Sequence, residues 1–194
     1  MYFTGDVMYD VFLKMKPYFN LDAYRKYGLK PENYIVVTIH RDFNTDDPEK
    51  LKAILQNLEE IAKEIDVIFP IHPRTRKRIK EHGFEKLINR IRLIEPVDYL
   101  EMMGLVMASK AVITDSGDLQ KEAYFCGKRA VVVMPDTGWR ELVKAGWNIL
   151  STPENTKENL EKILEKSSRE IGNLYGNGNA AEKIVDILTR RFER

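Results

Sequence analysis

The sequence predicts an α/β protein: a Rossmann-like, three-layer domain with a parallel sheet between two layers of helices. Short runs of β-branched and apolar residues recur along the chain, as at residues 34–39. Such near-continuous runs are typical of strands buried on both faces. Segments with helical spacing of apolar residues separate these runs, and this regular strand–helix alternation favours parallel strands joined by crossover helices.

The predicted strands are short and mostly apolar, which suits the centre of a sheet covered by helices. Most of them are rich in Val and Ile, the residues that favour extended backbone. In chain order they cover residues 34–39, 67–71, 92–94, 111–114, 130–134 and 147–150.

Helix boundaries are marked by residues that favour helix ends. Asp47 followed by Pro48 predicts a helix start, with Asp as the cap and Pro in the first turn. Gly83 and Gly127 are expected to end two other helices. The apolar face of the helix after Pro48 is formed by Leu51, Ile54, Leu55, Leu58, Ile61 and Ala62. Further helices are predicted near residues 74–82, 98–109, 139–144, 156–166 and 180–191, and another ends at residues 126–127.

The chain divides into three predicted segments. Residues 1–33 hold helical fragments, such as residues 20–28, but no strand, and we interpret them as lead-in or linker helices. Residues 34–179 form the Rossmann-like domain, within which residues 167–179 are the most loop-like. Residues 180–194 are expected to form a C-terminal helix.

Composition limits the classes of protein and partner. The chain has 194 residues, with 31 Lys and Arg against 30 Asp and Glu, so its net charge is +1. This balance offers no electrostatic argument for a nucleic-acid or membrane partner. A single cysteine, Cys126, excludes an internal disulfide and fits a reducing compartment. No apolar run approaches the ~20 residues of a membrane span, and no signal peptide is evident. We therefore expect a cytoplasmic protein.

Polar residues that carry chemistry follow several of the predicted strands. In a parallel sheet, ligands bind where the carboxyl ends of the strands meet. His40 and Arg41 follow the first strand, and His72 follows the second. An Asp-Ser-Gly turn at residues 115–117 follows the fourth strand. We expect these residues to share one rim of the sheet.

The turn formed by Asp115, Ser116 and Gly117 has two interpretations. Small residues at a helix start leave backbone N–H groups exposed, and the helix dipole adds positive charge, which suits a phosphate. The commoner alternative is an ordinary cap by Asp115 or Ser116. One turn further along, Glu122 either accepts hydrogen bonds from a ribose diol or is a solvated helix residue.

The histidines and the remaining reactive groups also leave alternatives open. His40 and His72 suit general acid–base work or phosphate binding, because imidazole titrates near neutrality. We predict no metal site, since no His-Glu-x-x-His or similar spacing occurs. The basic stretch at residues 74–78 suits RNA, the neighbourhood of a phosphate, or a solvated helix face. His82 is interpreted as a partner of a helix C-terminus, and Cys126 as a buried structural thiol.

Several short motifs occur in a fixed order along the chain. They are GDVMYD at residues 5–10, TIHRxxN at 38–44, HP at 72–73, PVDYL at 96–100, TDSGxxQxEA at 114–123 and YGNGNA at 175–180. In this order they resemble the C-terminal half of the non-hydrolysing UDP-N-acetylglucosamine 2-epimerases, which have a glycosyltransferase-B-like architecture of two Rossmann-type domains. The amino-acid sequence of residues 119–125 and 139–148 most resembles the branch that includes UDP-diacetamido-uronate 2-epimerases.

The resemblance implies a cofactor-free reaction in which UDP is eliminated from C1–C2 of the sugar and re-added with C2 inverted. By this analogy His40 is catalytic at the sugar–phosphate junction, Ser116 and Gly117 hold the diphosphate, and Glu122 takes the ribose hydroxyls. By the same analogy, the segment around Met102 faces uracil. The implied UDP-binding residues are Arg41, His72, Met102, Ser116, Gly117, Asp118 and Glu122. A homodimer is expected from the same analogy, and the proton-moving carboxylates belong to the missing N-terminal domain.

Four positions depart from the family pattern. Asp118 stands where a second Gly is expected, Phe43 replaces Glu, Pro135 replaces Arg, and Gly138 replaces Glu in a loop one residue short. Losing one charged phosphate contact costs about 1.5–3 kcal/mol. We therefore predict weak UDP binding by this chain alone.

Three functions remain as alternatives. The first is the UDP-sugar-binding half of a UDP-N-acetylglucosamine 2-epimerase, inactive without its N-terminal domain. The second is a non-catalytic, degenerate nucleotide-sugar-binding module of the same fold, which the four departures favour. The third, an unrelated phosphate-binding α/β domain, requires the order of the motifs to be a coincidence.

Overall fold

Within residues 2–166 and 170–192, which the structure, a computed structural model, describes, six parallel strands form one sheet in the order β3-β2-β1-β4-β5-β6. The strands are β1 Tyr34–Thr38, β2 Asp66–Pro70, β3 Arg92–Ile94, β4 Ala111–Thr114, β5 Ala130–Val132 and β6 Asn148–Leu150. Every neighbouring pair is parallel. The predicted α/β class and parallel sheet are therefore confirmed.

Ten α-helices lie within the described residues and connect or flank the strands. The longest predicted one begins as expected, because Asp47 accepts hydrogen bonds from the N–H groups of Glu49 and Lys50. The helices are α1 Val7–Met15, α2 Ala23–Lys26, α3 Asp42–Thr45, α4 Pro48–Ile61, α5 Pro73–Glu81, α6 Tyr99–Ala108, α7 Gly117–Phe125, α8 Arg140–Lys144, α9 Thr156–Leu164 and α10 Ala180–Phe192.

Helices on both faces of the sheet make it the middle of three layers. Alternate strand residues point to opposite faces. On one face Val36 and Val112 pack with apolar residues of α6 and α7. On the other face Ile35 and Ile113 pack with α4 and α9. The two hydrophobic cores are therefore separated by the sheet itself, as the near-continuous apolar strands predict.

The observed boundaries differ from the predicted ones by a few residues. The first strand ends at Thr38 rather than residue 39, and the fifth ends at Val132 rather than residue 134. The predicted helix 98–109 is shorter by one residue at each end, since Asp98 and Ser109 are its caps. Of the loop predicted at residues 167–179, residues 170–179 form no helix or strand and residues 167–169 lie outside the described residues.

The segment before β1 packs onto the same core as the rest of the chain. Phe12 of α1 is buried against Phe125 of α7, and the buried Phe19 packs on Phe12 and on Tyr99 of α6. Asp10 accepts hydrogen bonds from the backbone N–H groups of Ala180 and Ala181, so it caps α10. The N-terminal and C-terminal helices are therefore tied to each other. Their assignment to separate segments, with boundaries at residues 33 and 179, stays a prediction.

The direction in which successive strands are added to the sheet reverses between β1 and β4. Strands β1 to β3 run outward in one direction, and β4 to β6 run outward in the other. In open α/β sheets this switch point leaves a crevice at the carboxyl ends of the two central strands. The segments that follow Thr38 and Thr114 therefore border the crevice. None of the described helices is both long and apolar enough to cross a membrane.

Candidate functional site

A cavity of about 250 Å³ lies at the carboxyl ends of β1 and β2, beside the start of α7. Five of the predicted site residues line it, contributed by four separate segments of the chain. The lining residues are Thr38, Ile39, His40, Pro70, His72, Pro96, Val97, Met102, Ser116, Leu119 and Glu122. Apart from the histidines, Ser116, Thr38 and Glu122, the wall is apolar. The cavity therefore suits a ligand with a flat apolar part and a few polar groups.

Asp115 holds the loop that follows β1. Its carboxylate is fully buried and accepts hydrogen bonds from the backbone N–H groups of His40 and Arg41, at 3.0 and 2.9 Å. The side-chain amide of Asn44 donates to the same carboxylate at 3.1 Å. Buried carboxylates are tolerated when such donors surround them. Asp115 therefore fixes the position of His40 relative to α7.

At the start of α7 the Ser116 N–H donates to the Thr114 hydroxyl at 2.9 Å, and among the described residues no side chain caps the N–H groups that follow it. Ser116 is the cap residue by backbone position, but its side chain makes no capping hydrogen bond. Asp115 does not cap the helix either, since its acceptors face the β1 loop. The commoner alternative, an ordinary side-chain cap, is therefore wrong. A Cβ atom built on Gly117 would lie 3.9 Å from the Arg41 guanidinium, which adds positive charge at this end.

His40 and His72 face each other across the cavity rim, with ring centroids 5.7 Å apart. Nδ1 of His40 lies 3.5 Å from the Asp115 carboxylate, which leaves Nε2 as the atom available to a ligand. Burial lowers the pKa of His40, and Arg41 and His72 act in the same direction while Asp115 opposes them. His72 caps α5, because its Nδ1 accepts from the backbone N–H of Arg74 at 3.2 Å.

Glu122 forms a buried wall of the cavity on α7, with only 9% of its surface exposed. Burial raises its pKa to about 7, and the carboxylate of Asp118 acts in the same direction. Tyr99 and Lys121 oppose this rise in the pKa. The alternative of a solvated helix residue is therefore wrong for Glu122. Glu122 has a hydrogen bond from Tyr99, and as a residue of the cavity wall it is suited to accept further ones from a ligand.

The loop after β5 is fastened to α7 by Gln120. The Gln120 side chain accepts from the Thr137 hydroxyl at 2.6 Å and donates to the Ser116 carbonyl at 3.1 Å. The indole N–H of Trp139 donates to the Gly117 carbonyl at 2.8 Å. These bonds orient the start of α7 from the side opposite to His40.

Lys121 connects α7 to the N-terminal segment. Its ammonium group pairs with Asp6 at 2.8 Å and lies 4.0 Å from the centre of the Trp139 ring. This side chain is buried, and its positive charge is satisfied by protein groups rather than directed into the cavity. The GDVMYD motif at residues 5–10 therefore supports α7 through Asp6 and does not line the cavity.

The remaining predicted residues lie outside the cavity wall. Arg41, Gly117 and Asp118 border the start of α7, and Asp118 is exposed there. Phe43 and Pro135 line a different cavity, and Gly138 is exposed in the loop after β5. The predicted site residues therefore lie together at one edge of the sheet. Phe43 and Pro135, two of the positions that depart from the family pattern, lie to one side of them.

Sequence reasoning did not identify the structural roles of Asp115, Asn44 and Tyr99. Asp115 belongs to the TDSG motif and Asn44 to the TIHRxxN motif. Their position after neighbouring strands is the sequence signal that could have indicated their pairing. Tyr99 lies beside Glu122 only because α6 packs on α7, which no local pattern indicates.

Two other predictions concern metal ions and the cysteine. Among the described residues, no group of three or more His, Cys, Asp or Glu side chains is placed to hold a metal ion. Burial raises the pKa of the Cys126 thiol, and Glu122 adds to that effect. Cys126 is half-buried rather than buried as predicted, and because the thiolate is the reactive form, its raised pKa favours a structural role.

Comparison with known proteins identifies relatives that share this fold and these motifs. Residues 1–189 match the family model described as UDP-N-acetylglucosamine 2-epimerase. A UDP-N-acetylglucosamine 2-epimerase homolog of Methanococcus maripaludis is 40% identical over 193 residues, which cover 95% of this chain and 53% of that protein. The UDP-2,3-diacetamido-2,3-dideoxy-D-glucuronate 2-epimerase of Pseudomonas aeruginosa is 39% identical, covering 96% of this chain and 52% of that protein.

A solved structure supports the same relationship. The UDP-GlcNAc 2-epimerase of Methanocaldococcus jannaschii, in complex with UDP-GlcNAc and UDP, superposes with a TM-score of 0.84 and 35% identity. The superposition covers 96% of this chain and 54% of that one. The chain thus spans about half the length of the relatives it matches, as the predicted C-terminal half requires. Its sequence, sheet and motifs together establish that the chain belongs to the UDP-N-acetylglucosamine 2-epimerase family.

Proposed function

We propose that the chain is the UDP-binding half of a UDP-N-acetylglucosamine 2-epimerase. The observation that carries this proposal is the cavity at the switch point, which combines His40, His72, Ser116 and Glu122 beside an open helix start. A nucleotide diphosphate needs an apolar surface for its base, an acceptor for its ribose and positive groups for its phosphates. The cavity and its rim offer all three.

Each part of UDP has a proposed position. Uracil lies against Met102, whose neighbours Val97 and Leu119 are also apolar. The ribose hydroxyls donate to Glu122, and the diphosphate lies at the Ser116 hydroxyl and the Gly117 N–H. Arg41 and His72 approach the phosphates from the β1 and β2 sides, and Asp118 borders them on α7.

The proposed reaction inverts C2 of the sugar without a cofactor. A base removes the C2 proton, the C1–O bond breaks, and UDP departs with that electron pair to leave a glycal. UDP is then re-added with C2 protonated on the other face. His40 can donate a proton from Nε2 to the departing phosphate when it is the imidazolium, a form that Asp115 at Nδ1 and the negative phosphates both favour.

The other half of the enzyme is required for the C2 proton transfer. Of the described cavity residues, only Glu122 carries a carboxylate, and its proposed partner is the ribose. We therefore propose that an N-terminal domain supplies the base and closes over the sugar. The relatives named above act on UDP-N-acetylglucosamine and on a UDP-diacetamido-glucuronate, so an N-acylated UDP-sugar is the proposed substrate class.

A second function, a nucleotide-sugar-binding module without catalysis, is favoured by the altered positions. Asp118 places a negative charge beside the proposed diphosphate, and Phe43 and Pro135 supply no charge. The retained His40, Ser116 and Glu122 favour the enzyme. Both proposals require UDP to bind in the cavity, and they differ only in the chemistry that follows.

UDP binding is tested by nuclear magnetic resonance of the chain carrying ¹³C-methyl methionine. We expect UDP to shift the Met102 methyl signal, with a dissociation constant near the millimolar range because charged contacts are missing. Arg41→Gln is expected to weaken binding about tenfold, since one charged contact is lost. The matched control is Arg76→Gln, which removes an exposed arginine paired with Glu95. An unmoved Met102 signal overturns the proposal, and a micromolar affinity overturns its weak-binding part.

Catalysis is tested with the chain joined to the N-terminal half of a full-length relative. We expect deuterium from D₂O to appear at C2 of UDP-N-acetylglucosamine, and to disappear when His40→Ala is introduced. UDP binding without any exchange would instead support the non-catalytic module.

A further inference from the structure

A second cavity, of about 300 Å³, opens at the carboxyl ends of β5 and β6. It lies between the α3–α4 segment on one side and the loops after β5 and β6 on the other. Its lining residues are Phe43, Asn44, Lys50, Val133, Met134, Pro135, Ser151, Thr152, Pro153 and Glu154. We call it the Phe43 cavity.

The buried polar side chains that line the Phe43 cavity, Asn44 and Ser151, are engaged with protein groups, while Thr152 and Glu154 are exposed and Lys50 lies 3.6 Å from the Asp47 carboxylate. The amide nitrogen of Asn44 donates to Asp115 and to the Val133 carbonyl, which uses both of its hydrogens. The Ser151 hydroxyl donates to the Thr152 carbonyl and accepts from Asn159. What the cavity offers a ligand is therefore mainly apolar surface, which suits a methyl or acyl group better than sugar hydroxyls.

The Phe43 cavity adjoins the proposed phosphate site through shared residues. Asn44, in its wall, holds the Asp115 carboxylate that positions His40. Met134, also in its wall, has its sulfur 3.4 Å from the Gln120 amide nitrogen, and that nitrogen donates to the Ser116 carbonyl at 3.1 Å. The Phe43 cavity and the start of α7 are therefore neighbours that share a buried wall of Asn44, Met134 and Gln120.

Two of the altered positions lie together in this wall. Phe43 and Pro135 stand where the family resemblance predicts Glu and Arg, and both line the cavity. The two changes remove opposite charges and leave the net charge of the wall unchanged. Their shared effect is to make one small region of the wall more apolar.

We propose that the Phe43 cavity binds an N-acyl substituent of the sugar of a UDP-sugar whose diphosphate lies at the start of α7. This inference rests on the proposed function, because it requires the nucleotide to be bound in the first cavity. Phe43, Met134 and Pro153 contact the acyl group, and Pro135 closes its outer side. Phe43 is then a specificity-determining residue for acylated over hydroxylated sugars.

One labelled sample tests both cavities, because Met102 lines the first and Met134 lines the second. We expect UDP to shift the Met102 methyl signal, and UDP-N-acetylglucosamine to shift Met134 further than UDP does. UDP-glucose, which carries a hydroxyl in place of the acetamido group, is expected to lack that additional shift. Burying one methyl group predicts about fourfold tighter binding of UDP-N-acetylglucosamine than of UDP-glucose.

Thr152→Phe provides the matching variant, since Thr152 is exposed at the mouth of the Phe43 cavity and only its backbone carbonyl is used by neighbours. We expect it to abolish the preference for the acetamido sugar and to retain the Met102 response to UDP. Thr189→Phe, on the exposed side of α10, is the control and is expected to keep the preference.

The outcomes separate this inference from the proposed function. If Met102 is saturated by UDP-N-acetylglucosamine while Met134 responds as it does to UDP, the Phe43 cavity is not an acyl site. Retention of the acetamido preference in Thr152→Phe has the same meaning. If UDP leaves Met102 unmoved, the proposed function itself fails, and this inference fails with it.

Discussion

Asp115 and Glu122 are both buried carboxyl groups at helix α7, yet they are surrounded by different chemistry. Asp115 receives two backbone N–H groups and the Asn44 amide, so its acceptor capacity is used within the protein. Around Glu122 lie apolar cavity residues, the carboxylate of Asp118 and one hydrogen-bond donor, the Tyr99 hydroxyl, with Lys121 as the nearby positive charge. Asp115 therefore receives three donors from the protein, and Glu122 receives fewer.

This difference explains why two acidic residues in one motif have opposite consequences. Folding around Asp115 is favourable because three donors replace water. Burial of Glu122 is unfavourable for its charged form, which raises the pKa to about 7. A protein tolerates such a group where a ligand supplies the missing donors. The Asp115 region therefore predicts effects on stability, and the Glu122 region predicts effects on binding.

The largest effect is expected when the Asp115 region is broken. Asp115→Ala leaves the N–H groups of His40 and Arg41 and the Asn44 amide without their acceptor. Unsatisfied buried donors cost about 1–3 kcal/mol each, so we expect a loss of about 3–5 kcal/mol in the free energy of unfolding. Urea denaturation followed by circular dichroism measures this loss.

The control for this prediction is Asp118→Ala, which removes an exposed carboxylate from the first turn of the same helix. Its effect on stability is expected to be much smaller, because only the interaction with the helix dipole is lost. Equal losses in the two variants would show that Asp115 does not organise the loop.

Much of the fold could be predicted because its signals are local. The cap at Asp47 and the glycines at residues 83 and 127 mark helix ends through the backbone of a few neighbouring residues. Strand burial is similarly visible in consecutive apolar residues. Helix α1 was harder to recognise, because its role depends on Phe12 packing against α7, more than one hundred residues later.

The candidate site could be predicted only in part, for the same physical reason. His40, His72, Ser116 and Glu122 follow from strand ends and motif order. The role of Asp115 depends on partners 71 to 75 positions away in the chain, and spacing gives no measure of such contacts. The burial that raises the pKa of Glu122 likewise depends on contacts in three dimensions, since residues as distant in the chain as Thr38 line the same cavity.

The second prediction concerns pH and sharpens the description of Glu122 as a ligand acceptor. Its folded pKa of about 7 lies above the ordinary value of about 4.3 for Glu. The carboxylate therefore forms only as the pH rises through 7, and ribose hydroxyls donate best to the charged form. We expect the affinity for uridine to rise up to about tenfold per pH unit below 7 and to level off above 8.

Uridine is the suitable ligand here, because it has no phosphate that titrates in this range. In Glu122→Gln the affinity for uridine should not follow this pH profile. The shift of the Met102 methyl signal measures the uridine affinity of both proteins. The pH dependence of stability has the opposite sign. The folded state binds the Glu122 proton more tightly than the unfolded state does. The free energy of unfolding of the wild type therefore falls, relative to that of Glu122→Gln, as the pH rises from about 4.5 to 7. An unchanged profile in the variant would assign the titration to another group.

The smallest effect is expected at Asp118, where the two regions meet on α7. Its exposed carboxylate lies beside the proposed diphosphate and also raises the pKa of Glu122. Asp118→Asn should strengthen UDP binding by about two- to fivefold at low salt, since one unfavourable exposed charge is removed. The gain should shrink as salt increases, because exposed charges are screened.

The same substitution should move the uridine pH profile toward lower pH, because Glu122 then ionises more readily. Asp22→Asn, an exposed acidic residue paired with Arg25, is the control for net charge and should change neither measurement. Stronger UDP binding without a shifted uridine profile would mean that Asp118 acts on the phosphates alone. A shifted profile without stronger binding would place the diphosphate away from the start of α7, and the proposed position of UDP would be wrong.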